Sequence, residues 1–279
     1  MNSRNTKYPS RILSEFRASF VKDLRSYFRY PAWIVGEFVS TPLWFFFFAL
    51  GVTLFAPVAS SPTVRGFGGG VATFFFGFVF IVLFSTSVWG VGQSVRNEQE
   101  SGTLEQFFIA PANRATLILG RWARIFLTDS LIIGYTTLLL YLLGGTAISL
   151  LNPVLFLLSL GLYELSLIGF GLFMAGLTIR IKAYNSVGNM IFFGYMILTG
   201  ALFPITVLPT PIRYFSMAIP FTYLNDIMKH AALGTQTILP ETVEYPVAIA
   251  AAVGMLIFGF VAFNWIERDA RIQGSIATS

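Results

Sequence analysis

Three carboxylates stand inside or beside long apolar stretches of the chain: Glu37, Asp129 and Glu164. An acid surrounded by hydrocarbon is costly, so such residues face a protein interior or a water-filled cavity. Glu37 lies about one turn into the first apolar stretch, within reach of the interface. Asp129 follows Arg121 and Arg124 on the third stretch, which allows local pairing. Glu164 differs from both. It sits near the middle of the fourth stretch, beside Tyr163, with no basic residue within two turns. Two roles stay open for it: a place on a transport pathway, or a hydrogen bond between membrane helices. His230 is the only histidine, and its position four residues after Asp226 suits a local hydrogen bond. The remaining chemistry is sparse. There is no GxxxxGK[ST] run to cradle phosphates, no CxxC or HExxH pair for a metal, and no GxSxG nucleophile. These residues therefore point to binding and positioning, not bond-making, and no cofactor is expected in this chain.

The elements that position them are set by composition. Of 279 residues, 55% are hydrophobic and 11% charged, with mean hydropathy +0.72 and no cysteine. A soluble domain carries roughly 25% charged residues. A soluble enzyme, a disordered chain and a disulfide-stapled module are all excluded. A membrane-crossing helix needs about 20 apolar residues, and six such stretches are present, over 33–56, 71–94, 125–145, 153–179, 186–203 and 245–264. The expected fold is an all-α membrane protein forming one domain over 1–279. It comprises a cytoplasmic amphipathic helix over 1–31, a six-span core over 32–264 and a tail over 265–279. Of the 18 basic residues, all but Arg65, Arg213 and Lys229 fall in segments on one side of these spans. By the positive-inside rule both termini are then cytoplasmic. The same placement excludes nucleic acid, because the basic residues border membrane spans.

Residues 10–30 are too charged to span. Ile12, Phe16, Phe20, Leu24 and Tyr27 recur three or four apart, which makes an amphipathic helix at the cytoplasmic interface, stopped by Pro31. It serves as an anchor, or as a lever that also touches a cytoplasmic partner. The loop 65–70 is Gly-rich and reads as a flexible connection. Gly171 and Ala175 form a small-xxx-small pair that permits close packing of the fourth span. Phe is abundant, at 30 residues. The dense aromatic runs 44–48 and 74–80 are expected mostly to face lipid, with a lipophilic cavity as the other reading.

Two connections carry more specific signals. In 95–124, Thr103 and Gln106 fit a capping box. Leu104, Phe107 and Phe108 then form an apolar face, Pro111 ends it, and Asn113 caps the next helix. Glu98, Glu100 and Glu105 flank this short helix. It either lies on lipid headgroups or docks into another protein, and acidic flanks oppose contact with an anionic leaflet. In the second connection, Pro204, Pro209, Pro211 and Pro220 break an apolar stretch into a re-entrant hairpin between spans five and six. Thr210 and Thr222 are placed to cap its two short helices, and Gly234 to end the second. Leu224, Ile227, Met228 and Ala231 would line one face of that helix.

The run Glu100-Ser101-Gly102-Thr103-Leu104-Glu105-Gln106, with Ala110-Pro111, Arg114 and Gly120-Arg121, resembles the cytoplasmic loop of ABC-2 type transporter permeases, most of all the multidrug-export branch. Gly200-Ala201-Leu202-Phe203-Pro204, Leu208-Pro209 and Ile219-Pro220-Phe221-Thr222-Tyr223 resemble that family's stretch between spans five and six. The resemblance implies the membrane subunit of an ATP-driven exporter of lipophilic or amphipathic substrates, in a prokaryotic cell membrane. It implies a second permease copy, identical or not, and a separate ATPase holding ATP and Mg²⁺. Glu100, Thr103, Leu104, Glu105, Phe107 and Phe108 would couple to that ATPase, and Phe203, Pro204 and Pro220 would belong to an outer gate. Two alternatives are an exporter of glycolipid or polysaccharide and an ion-coupled secondary transporter using Asp129 and Glu164. A purely structural membrane protein would have no need of an exposed aromatic helix in the cytoplasm.

Overall fold

A computed structural model describes residues 8–55, 71–92, 96, 114–144, 150–181 and 183–272. All regular structure among them is helical. Helix α1 (Tyr8–Phe28) is the amphipathic helix, and after a turn at Arg29 helix α2 (Pro31–Phe55) begins on a proline. Proline suits a first helical turn, where its missing N–H is not needed. Helix α3 (Val71–Ser85) continues into a π-helical segment, Thr86–Gly92. Hydroxyls cause a local loosening here. Ser85 and Thr86 donate back to the carbonyls of Val82 and Leu83, while Ser87 donates across to Leu167 O at 3.0 Å.

Helix α4 (Arg114–Gly144) has 31 residues, about 46 Å at 1.5 Å per residue. That exceeds a hydrocarbon core of roughly 30 Å, so the helix projects beyond the apolar stretch read over 125–145. Its first turns carry α1. Ser19 Oγ donates to Leu117 O at 2.8 Å, and Arg121 pairs with Asp23 at 3.0 Å. Gly120 lets the α1 backbone come close, since a Cβ there would strike Ser19 and the Phe16 carbonyl. Helix α5 (Pro153–Arg180) starts at Asn152, whose side chain accepts from Leu155 N. Then come α6 (Tyr184–Leu198), a 3₁₀ turn (Ile205–Val207), α7 (Thr210–Met217), α8 (Pro220–Leu233) and α9 (Glu241–Ile272).

Among the described residues, four stretches are long and apolar enough to cross a membrane: Ala72–Gly92, Thr116–Leu142, Pro153–Arg180 and Glu241–Asp269. The fifth expected span, over 186–203, ends early. Helix α6 stops at Leu198, and Gly200 takes a left-handed φ of 74° that turns the chain away.

Helix α5 lies at the centre of the bundle, packed on α9, α8 and the π segment. At its crossing with α9, Gly169 and Gly259 bring backbone against backbone, and a Cβ on either would meet the other helix's main chain. Gly171 packs instead on Val91 of the π segment, in a cluster with Ala175, Leu172 and Ile118. The 74–80 run is mostly core rather than lipid-facing. Phe75, Phe76, Phe78 and Phe80 are buried, with Phe45 among them. Outward lie Val39, Leu43 and Phe47 of α2, Leu131 and Leu138 of α4, and Val253, Ile257 and Val261 of α9. An apolar exterior of this kind fits hydrocarbon as the solvent.

Candidate functional site

Helix α6 ends inside the protein, and a buried helix end leaves carbonyls that need donors. The hairpin helix α8 supplies them. Asn225 Nδ2 donates to Thr199 O at 3.1 Å and Thr199 Oγ1 at 3.0 Å. One turn on, Lys229 Nζ donates to Gly200 O at 2.6 Å and Ala201 O at 2.9 Å. Three consecutive carbonyls are thus held by two side chains four apart on one helix face. Lys229 is buried and also lies 5.7 Å over the Phe80 ring. Burial pushes its ammonium down to about 8, against the pull of nearby Asp226.

The clamp continues inward. Tyr195 Oη donates to Asn225 Oδ1 at 3.0 Å and lies 2.6 Å from Tyr163 Oη, which donates to Phe80 O at 3.1 Å. The Tyr195 ring stacks on Phe84 at 3.8 Å, and Phe221 meets the Phe84, Tyr163, Phe170 and Tyr195 rings edge-on. The hairpin helix is therefore threaded into the core. Its face of Leu224, Ile227, Met228 and Ala231 is buried, as the spacing predicts.

The expected gate residues sit around this clamp. Pro220 opens α8 and delivers Phe221 to the aromatic cluster. Phe203 and Pro204 follow the clamped carbonyls, and Pro204 leads into the 3₁₀ turn. Beside them is an apolar groove of about 380 Å³ between α2, α3 and α6. Trp44, Phe74, Phe78, Phe192, Phe193 and Met196 line most of it, with Leu202 at the gate segment and Thr41 among the few polar atoms.

Local hydrogen bonding in the hairpin departs from expectation. Neither Thr210 nor Thr222 caps a helix. Prolines 209 and 211 already set the backbone around Thr210, and Thr222 Oγ1 donates to Ser216 O at 2.7 Å, bracing α8 on α7. His230 does not pair with Asp226. Its Nδ1 lies 2.7 Å from Thr235 O and its Nε2 3.5 Å from Glu241, while Asp226 accepts from Ile238 N. Gly234 ends α8 at φ 70°, as expected.

The intramembrane acids divide. Glu37 accepts from Tyr27 Oη at 2.6 Å and Trp33 Nε1 at 2.7 Å, closing the α1–α2 elbow. Arg121 pairs with Asp23 of α1, and Arg124 lies 5.3 Å over the Tyr27 ring. Of the cations expected near Asp129, Arg121 is drawn toward α1, while Arg124 stays near enough for the two charges to act on each other, and Asp129 Oδ2 has no hydrogen-bond partner among the described residues. Glu164 is buried with Oε1 likewise unpartnered, and it is absent from the groove lining. The coupling candidates Glu100, Thr103, Leu104, Glu105, Phe107 and Phe108 lie outside the described residues, as does the 65–70 loop. Sequence reasoning missed Asn225 and Lys229. The signal is an asparagine and a lysine at i, i+4 on an apolar hairpin helix, whereas charge placement marks Lys229 only as a basic residue on the outer side.

A family model described as ABC-2 family transporter protein matches residues 55–266, which includes the π segment, the clamp and the hairpin. The chain belongs to this family and is a transmembrane subunit of an ABC transporter. It is a multi-pass membrane protein, and membership implies an ABC ATPase as its partner. No curated protein matches the chain.

Proposed function

We propose that this subunit forms the membrane pathway of an ATP-driven exporter that moves lipophilic or amphipathic molecules out of the cytoplasm or inner leaflet. The observation that carries the substrate class is the groove between α2, α3 and α6. Aromatic and aliphatic side chains form its wall almost throughout. Such a surface rewards removal of apolar area from water at about 25 cal/mol per Å² and gives little to a sugar hydroxyl. This favours drug-like or lipid-like cargo over polysaccharide.

The rest of the reading rests on family and sequence. Six spans cross a prokaryotic cell membrane with both termini cytoplasmic, and two permease copies, identical or not, pair with two ATPases. Helix 103–109 docks into the ATPase, which holds ATP and Mg²⁺. Its motion enters α4, whose first turns carry α1 through Ser19 and Asp23. The outer end is closed by Phe203, Pro204 and Pro220, at the segment held by the Asn225–Lys229 clamp.

The test is reconstitution with the ATPase in liposomes carrying a lipophilic dye. Dye movement that needs ATP, and falls about tenfold when Trp44 and Phe193 are both changed to Ala, is the expected result. The loss corresponds to about 1.4 kcal/mol. Transport driven by an ion gradient without ATP would instead support a secondary transporter using Asp129 and Glu164.

A further inference from the structure

The loop joining α8 to α9 is held by two acids from different helices. Asp226 Oδ2 of α8 accepts from Ile238 N at 2.8 Å, and Glu244 Oε2 of α9 accepts from Leu239 N at 2.8 Å. These consecutive N–H groups hold the two carboxyls side by side. Glu244 is fully buried, and its remaining oxygen, Oε1, has no N–H or hydroxyl partner among the described residues. Two carboxylates have four acceptor oxygens and no hydrogen between them, so a bond joining them requires a proton. With both ionised, the contact becomes a repulsion between like charges in a site of low polarity.

We propose that Asp226 and Glu244 form a proton-binding site in which one shared proton latches the 234–241 loop onto the ends of α8 and α9. The surrounding charges are few. Lys229 and His230 face Asp226, but Lys229 is committed to the carbonyls of Gly200 and Ala201, and His230 lies beside Thr235 O and Glu241. Tyr223, Tyr245 and Glu241 complete the titratable set around the pair. Among the described residues no arginine acts on either acid. Burial pushes the Asp226 carboxyl up from its ordinary range, so the proton is retained in the direction the geometry demands. Once it leaves, the two carboxylates separate, and the Ile238 and Leu239 anchors release together because each is fastened to one partner. The pair titrates as a unit. The latch therefore holds at lower pH and opens as pH rises, whichever cargo the subunit carries.

A nitroxide attached at Gln236→Cys in the full-length protein reads this directly, since Gln236 is exposed in the loop and the chain has no native cysteine. The spectrum should be immobilised at about pH 6 and mobile at about pH 9. At the foot of the transition the mobile fraction should grow about tenfold per pH unit, as loss of one proton requires. Asp226→Asn and Glu244→Gln each supply the bridging hydrogen permanently from an amide. Each should keep the label immobile across the range, and the two variants test the same hydrogen independently. His230→Gln, which removes the only histidine, should leave the response intact. A label that is equally mobile at both pH values would overturn the inference. So would a response that survives in both amide variants, which would place the titration at Lys229 or elsewhere, or one that disappears with His230.

Discussion

A buried lysine and a buried glutamate solve opposite problems in this protein. Lys229 brings a cation into the interior and has partners waiting, the carbonyls that α6 leaves open at its end. Lys229→Met removes both donors and strands those carbonyls. A buried unsatisfied acceptor costs about 1–3 kcal/mol, so the variant should unfold at lower temperature in detergent. The pH sign follows from burial. The folded protein binds this proton less tightly, at about 8, than the unfolded chain does, at about 10.4. Protonation of Lys229 thus costs the folded state: this contribution to stability is fully present above the unfolded value, where the side chain is neutral in both states, and is lost as pH falls through about 8. The difference in melting temperature between Lys229→Met and wild type should therefore widen as pH rises from about 8 to about 10. Glu164 has the reverse standing, a buried carboxyl with one oxygen, Oε1, that has no partner among the described residues. Such a group contributes little to stability, and replacing it with a well-packed apolar residue is often neutral or stabilising. We expect Glu164→Leu to melt no lower than wild type but to lose transport, by about tenfold or more, if the acid serves the transport cycle. Glu164→Gln should fold normally and shift rate or substrate preference. Full transport by the Leu variant would assign the residue to packing alone.

At the scale of elements, the proposed coupling and gating roles fall on segments of different kinds. Sequence spacing alone predicts a short helix over 103–109 with Leu104, Phe107 and Phe108 along one face. Aromatic anchors in a protein–protein contact carry on the order of 2 kcal/mol each. Phe107→Ala with Phe108→Ala should therefore release the ATPase on co-purification, or leave it bound with hydrolysis no longer stimulated by substrate. Glu105→Gln should do less, since rim charges mainly tune approach. Unchanged association and stimulation in the double variant would mean that this helix rests on lipid. The proposed gating end is a clamp of two helices. Asn225 and Lys229 tie α8 to the end of α6, while Tyr195 ties α6 through Tyr163 to α5. Movement of α6 must therefore carry α8 with it or break five hydrogen bonds. Proline spacing made the broken hairpin legible in the sequence, because φ is fixed residue by residue. The depth of α8 was not legible, because an amphipathic helix buries the same face in an interface as in a core. The π segment was also hidden within an apolar run. It depends on Ser87 meeting Leu167, 80 residues away.

For the whole molecule, the basic bias predicts an orientation with both termini cytoplasmic. Cysteines introduced singly at Ser61, Thr235 and Ser275 report it cleanly, since none is native. An impermeant thiol reagent added to intact cells should label the first two and spare the third. Labelling of Ser275→Cys from outside would invert the orientation, and with it the side on which the hairpin and the coupling loop act. The groove also belongs to this scale. It is open to the surface and is built from three helices whose outward faces are apolar. Cargo could reach it from the bilayer without crossing a polar barrier.

What the sequence determined by itself is whatever depends on properties summed along the chain. Hydropathy over about 20 residues specified membrane helices, charge placement specified the expected sidedness, and Pro and Gly specified where the hairpin breaks and α8 ends. The motif order also identified the family, over 55–266. The tertiary structure decided which polar atoms meet. Tyr163 and Tyr195 are 32 residues apart, Thr199 and Asn225 26, and Ser19 and Leu117 98. Arg121 turned from Asp129 on its own helix to Asp23 on another, and Gly259 found Gly169. Such pairings depend on where helices cross and which faces they share. In an apolar interior an unmet donor or acceptor costs more than a local bond yields, so packing decides them, and no single segment carries that information.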